Sequence, residues 1–121
     1  MAEKATVYII EDDDAVRDSI HLLIETANLA ARSFASAGSF LRAMPLLNNS
    51  CVLIAQNLPD MTGLVVLQDL RGRGIGAPAI IVTIGADPAI SSVAARFGAL
   101  ILEKPYRPKR LIDLIRTALD R

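Results

Sequence analysis

The sequence has one cysteine, one histidine and no excess of charge of either sign, and each scarcity removes a class of protein. A lone Cys51 excludes an intramolecular disulfide framework. Set in the apolar run Cys51-Val52-Leu53-Ile54-Ala55, it reads as a small core residue of a protein kept reduced. Thirteen basic residues balance thirteen acidic ones, so no overall field draws the chain to nucleic acid or to an anionic membrane. No apolar run reaches the roughly 18 residues that a spanning helix needs. Met1-Ala2-Glu3-Lys4 leads toward a strand, not into an apolar leader. Repeats, linkers and low-complexity stretches are missing too, so the expectation is one cytoplasmic domain over residues 1–121. What is present is apolar: 52% hydrophobic residues, enough to form one core and too many for a disordered chain.

Five short apolar runs alternate with five segments of helical period. The runs are Ala5 to Ile10, Leu29 to Phe34, Cys51 to Ala55, Ala79 to Thr83 and Leu100 to Glu103. Most are apolar at consecutive positions, as expected for strands buried on both faces. Asp14 is a candidate cap for a first helix with Val16, Ile20, Leu23, Ile24 and Ala27 inward, and Asn28 suits its end. A second helix is predicted from Ser36 or Ser39 toward Leu47, cut short or distorted by Pro45. Leu64 to Leu70 forms a third, ended by Gly72, Gly74 and Gly76. Asp87-Pro88 opens a fourth, with Ile90, Val93, Ala94 and Phe97 on one side. Pro108 opens the last, with Ile112, Ile115 and Leu119 inward and Leu111 and Ala118 beside them.

Strands alternating with helices at this spacing predict an α/β fold, a five-stranded parallel sheet with helices on both faces, doubly wound as (βα)5. Such sheets place their sites at the carboxyl ends of the strands, near the switch in strand order. The loops that matter there carry Glu11 and Asp12, then Ala55, then Thr83, then Lys104 followed by Pro105.

With Leu58-Pro59 and Gly63 added, these residues resemble the receiver domain of two-component response regulators, the CheY-like, flavodoxin-like fold, over essentially the whole chain. The resemblance implies that Glu11 and Asp12 match a metal-binding acidic pair, and that Thr83 and Lys104 match the hydroxyl and ammonium that hold a phosphoryl group. Counting back from Gly63, Ala55 stands where such receivers carry the aspartate that accepts the phosphoryl group; a slip of one would put Ile54 or Gln56 there. A methyl group neither attacks phosphorus nor binds magnesium, so weak magnesium affinity at most is expected, and no catalytic residue. The last strand is about one residue short of the family pattern and lacks its usual aromatic, with Leu102 nearest to that position.

The expected function is therefore an atypical receiver that acts without phosphorylation, as an adaptor or decoy for a histidine kinase or another response regulator, and not as an enzyme. The alternative is an ordinary magnesium-dependent phospho-receiver whose acceptor was replaced by Ala55. By resemblance, Ile90, Val93, Phe97, Leu102 and Tyr106 belong to a fourth-helix, fifth-strand, fifth-helix face used for partners or a homodimer; read from the residues alone, Ile90, Val93 and Phe97 are core, and become an interface where part of the stripe is exposed. Lys104 has Asp12 and Glu11 as candidate ion-pair partners, while His21 reads as a packing or surface residue and Asp60 as an exposed turn residue. Arg107, Lys109, Arg110 and Arg116 make a solvated basic face on the last helix. Four consecutive acids after the first strand repel phosphate, which argues against a flavin- or nucleotide-cradling loop.

Overall fold

The computed structural model describes residues 4–120, so Met1 to Glu3 and Arg121 lie outside the described residues. Strands β1 (Thr6–Ile10), β2 (Ala30–Phe34), β3 (Ser50–Ala55), β4 (Ala79–Ile84) and β5 (Ala99–Lys104) form one parallel sheet in the order β2-β1-β3-β4-β5. Helices α1 (Asp14–Thr26), α2 (Ala37–Leu41), α3 (Gly63–Gly72), α4 (Pro88–Arg96) and α5 (Pro108–Leu119) connect and flank the strands. This is the doubly wound parallel arrangement that the alternation predicts. No helix among the described residues is long and apolar enough to cross a membrane.

The pleat divides the strand residues between two cores. Val7, Ile9, Cys51, Leu53, Ile80 and Val82 meet α1 and α5, while Tyr8, Ile10, Val52, Ile54 and Ile81 meet the helices of the opposite face. Both sides of β1 and β3 are covered, which is why these strands are apolar at nearly every position. Cys51 is fully buried, and burial pushes its thiol up to about 12. Chain order reverses around β1 and β3, so the loops after Ile10 and Ala55 open side by side.

Several boundaries differ from expectation for identifiable reasons. Asp13, not Asp14, caps α1: it holds an extended backbone and its carboxylate accepts from Val16 N at 3.1 Å. Ser36 caps α2, which ends at Leu41, well before Pro45. Chain beyond it is tied down instead by Tyr8, whose hydroxyl accepts from Leu47 N at 3.0 Å. On α5 the buried stripe is Leu111, Leu114, Ile115 and Ala118; Ile112 and Leu119 are only half-buried.

Candidate functional site at the carboxyl edge

Glu11 follows β1 directly and is buried, because β1 delivers it beneath the start of α1. One carboxylate oxygen accepts from Asp13 N at 3.1 Å, and the other lies 3.7 Å from Lys104 Nζ, carried in by the end of β5. Of the two acids open to Lys104, the partner is Glu11; Asp12 stays exposed. The pair is longer than a hydrogen bond, but burial of Glu11 leaves it less screened than a surface pair. Between these side chains lies a recess of about 240 Å³ whose lining includes Glu11, Asp12, Val16, Ala55, Ile84 and Lys104.

Strand alternation decides which residue at the end of β3 faces that recess. Ile54 is fully buried in the opposite core. Gln56 is buried too, but its side-chain oxygen accepts from Leu64 N at 3.0 Å, at the start of α3. Ala55 alone of the three lines the recess with Glu11, Asp12 and Lys104.

The loop from β3 to α3 is held by residues that the sequence did not single out as structural. Gly63 N donates to Gln56 O at 2.9 Å, and Thr62 caps α3 by accepting from Val65 N. A Cβ on Gly63 would lie 2.7 Å from Ala55 O, so glycine is required for the helix to start this close to the strand. Asp60 is exposed, as expected of a turn residue, yet its carboxylate accepts from Gly38 N at 2.9 Å and Ala37 N at 3.2 Å. The Gly38 bond is the main cause that holds Asp60 below the usual carboxylate range. It fastens the site loop to the first turn of α2 and points away from the recess. Arg17 is a further addition: its guanidinium donates to Glu11 O at 2.9 Å and pairs with Asp14, tying the acidic loop to α1. The Asp14–Arg17 spacing of three residues on a helix was a legible signal. Nothing local announces Asp60, whose partners lie more than 20 residues away.

Other sequence candidates fall outside this group. Thr83 is buried and its hydroxyl donates to Gly85 O at 2.9 Å, so it braces the loop into α4, while its neighbours Val82 and Ile84 turn toward the recess. Ile84 is 76% exposed at the rim, an apolar side chain that the sequence reading passed over. His21 Nδ1 lies 2.6 Å from Ser33 Oγ and Nε2 lies 3.6 Å from Glu25, a surface role remote from the site. Leu102 requires correction as an interface residue: it is 2% exposed and packs in the α1/α5 core, with nothing left to offer a partner. Phe97 packs partly into the opposite core, and Ile90 and Val93 are half-buried on α4. Tyr106 is half-buried and lines a separate recess between β5 and α5; burial first, then the charge of Glu11, pushes its phenol up.

The donors present fit magnesium poorly. A hard divalent cation seeks six oxygen ligands and leans on carboxylates. Here Glu11 is committed to Asp13 N and Lys104, position 55 supplies a methyl group, and no three acids, histidines or cysteines converge among the described residues.

Comparison with known proteins agrees with the fold. The chain is 35% identical over 122 residues to the transcriptional regulatory protein FixJ of Azorhizobium caulinodans, covering 100% of this chain and 58% of that protein. It is 34% identical over 116 residues to TdiR of Thauera aromatica, covering 95% of this chain and 51% of that protein. The chain thus spans little more than half the length of these curated relatives. Among solved structures, a CheY-like receiver domain protein of Methanospirillum hungatei superposes with a TM-score of 0.88 at 28% identity, covering 98% of this chain and 95% of that one. Residues 7–116 match the family described as the response regulator receiver domain, and the chain belongs to that family.

Proposed function

We propose that this receiver works by protein–protein contact without taking up a phosphoryl group. Receiver domains act through histidine kinases or other regulators, and the partner here is read as one of these. The observation that carries the reading is Ala55 on the wall of the recess, beside Glu11, Asp12 and Lys104. Phosphoryl transfer depends on positioning and charge stabilisation around a nucleophile. This recess holds cation and acid, but its wall at position 55 ends in a methyl group. Ala55 is assigned to the acceptor position because the alternatives, Ile54 and Gln56, face elsewhere. The Lys104–Glu11 pair supports a pocket that holds its shape by itself, and the site is read as working without a resident metal. The chain is a binding module and not an enzyme.

The test is direct. Incubated with magnesium and radiolabelled acetyl phosphate, or with a phosphorylated sensor kinase, the protein should acquire no base-labile acyl phosphate. Stoichiometric labelling would overturn the proposal.

A second reading, an ordinary phospho-receiver whose acceptor aspartate was replaced by Ala55, is favoured by one observation. Glu11, Asp12 and Lys104 still surround position 55, so an aspartate there would enter a ready-made charged pocket. Prompt magnesium-dependent labelling of Ala55→Asp supports that history; an inert Ala55→Asp protein means that the surrounding site has changed as well.

A further inference from the structure

Arg71, in the last turn of α3, is a cation held among carbonyls. Its Nε donates to Phe97 O at 2.8 Å, and its Nη1 donates to Ile75 O and to Ala77 O, each at 2.9 Å. A guanidinium carries five N–H groups, and these bonds use three. The two on Nη2 donate to nothing among the described residues, and Arg71 takes part in no ion pair there. No buried side-chain nitrogen among the described residues lacks a partner, so half-buried Arg71 keeps Nη2 open to solvent. The three carbonyls, from the α3–β4 loop and the cap of α4, hold the guanidinium in one orientation.

Arg71 stands at the wall of a pocket of about 340 Å³, within the range of about 300–1,000 Å³ common for small-molecule sites. Pro78, Ala79, Phe97, Leu100 and Ala118 give it apolar sides. Two glycines keep it open. A Cβ on Gly98 would lie 3.9 Å from Nη2, in van der Waals contact, and its absence leaves the free edge clear; a Cβ on Gly76 would meet nothing within 4 Å.

One guanidinium edge against apolar walls selects the chemistry of an occupant. A carboxylate on a small apolar body satisfies both halves: its oxygens accept from the two Nη2 N–H groups, and its hydrocarbon covers the walls. Inorganic phosphate matches only the first half, since it seeks several donors and has no apolar part. Burial also lowers the affinity of Arg71 for its proton, because carbonyl dipoles replace only part of the water around the charge. A bound carboxylate supplies the counter-charge that the carbonyls do not.

We propose that this pocket binds a small organic acid, one carboxylate on an apolar body, anchored by Arg71 Nη2. The pocket lies where β4 and β5 begin, at the opposite edge of the sheet from Ala55, so it stands apart from the reading of the carboxyl-edge recess. Arg71, Phe97 and Ala118 belong to α3, the cap of α4 and α5, so one occupant touches three helices.

Benzoate is the probe. Titrated into isotope-labelled protein, it should shift the Arg71 side-chain Nε–Hε signal and the amides of Gly76, Phe97 and Gly98, while the amides of Glu11 and Ala55 stay in place. Benzamide, which keeps the ring and loses the charge, and inorganic phosphate, which keeps charge and loses the ring, should each bind at least about tenfold more weakly. Gly76→Leu, at an exposed position clear of the bonds of Arg71, narrows the pocket and should weaken benzoate by at least about tenfold. Arg71→Met, with folding checked by circular dichroism, should abolish the shifts; if that variant does not fold, Gly76→Leu and benzamide still decide. The proposal is overturned if benzoate leaves these signals unmoved, or if Gly76→Leu binds benzoate as the unaltered protein does. Benzamide binding as tightly as benzoate leaves Arg71 no anchoring role, and phosphate binding as tightly marks an adventitious anion only; either result overturns it as well.

Discussion

Replacing Gly63 by alanine tests how tightly the β3 end and the α3 start are joined at the recess. Alanine is normally the better helix residue, by up to about 1 kcal/mol in a helix interior and less in a first turn. An exposed helix start would therefore gain from the change. Here the added Cβ would meet Ala55 O at 2.7 Å, Gln56 Cα at 3.1 Å and Ala55 C at 3.2 Å, all backbone atoms of the strand end. None of these is the free end of a flexible side chain, so either α3 withdraws or the strand end shifts. Gly63 N also donates to Gln56 O, and Gln56 holds Leu64 N, so withdrawal strains two hydrogen bonds together. Overpacking of this kind costs about 1–3 kcal/mol. Less the propensity gain, the net loss is about 1–2 kcal/mol. For a domain of this size that lowers the melting temperature by roughly 3–8 °C, at roughly 3–4 °C per kcal/mol. Thermal unfolding followed by circular dichroism checks the value, and amide chemical-shift changes should centre on Ala55, Gln56 and Leu64. A melting temperature equal to or above that of the unaltered protein refutes the reasoning, since the junction would then have room for a methyl group.

Two further outcomes follow from contacts away from the recess. Arg71 donates to Phe97 O at 2.8 Å and to Ile75 O and Ala77 O, each at 2.9 Å, and burial lowers its affinity for its proton; Arg71→Met should cost about 2–3 kcal/mol in urea unfolding and speed amide exchange at the end of α4, since three carbonyls lose a charged donor. Asp60→Ala should cost under about 1 kcal/mol, because the carboxylate is exposed and screened. The folded-state pKa of Asp60 is depressed, so its contribution is present above the unfolded value and is lost as pH falls through the folded one. The difference in melting temperature between Asp60→Ala and the unaltered protein should therefore be steady near neutrality and shrink below about pH 4.

What could be read in the chain was whatever repeats locally. Consecutive apolar residues marked β1, β3 and β4 because both faces of those strands are covered, and the ends of those runs located Glu11 and Ala55. Lys104 was legible for the same reason at the end of β5. Misreadings came where two local solutions are nearly equal. Asp13 and Asp14 can each cap a helix, and only the packed backbone selects Asp13. Along α5 two apolar stripes overlap, and packing on the core selects the one that includes Leu114. Leu102 looked like a surface substitute for an aromatic, but an even position on β5 faces the α1/α5 core. Long-range side-chain ties escaped altogether. Asp60 to α2 and Arg71 to the end of α4 join residues more than 20 positions apart, and no periodicity encodes them.

Charge balance within the recess bears on what Ala55 means. Glu11 is buried, and a buried carboxylate is costly unless it is paired and hydrogen-bonded. It has both forms of support, from Asp13 N and from Lys104, and no buried side-chain nitrogen or oxygen among the described residues lacks a partner. Asp12, exposed on the recess wall, is the carboxylate there without such a partner. An aspartate at position 55 would shift this balance: three carboxylates would share one ammonium, and like charges so close raise the affinity for a proton or a metal. Ala55→Asp should therefore gain magnesium affinity even where it gains no phosphoryl transfer. Calorimetric titration with magnesium separates a pocket whose charge geometry persists from one that has lost it.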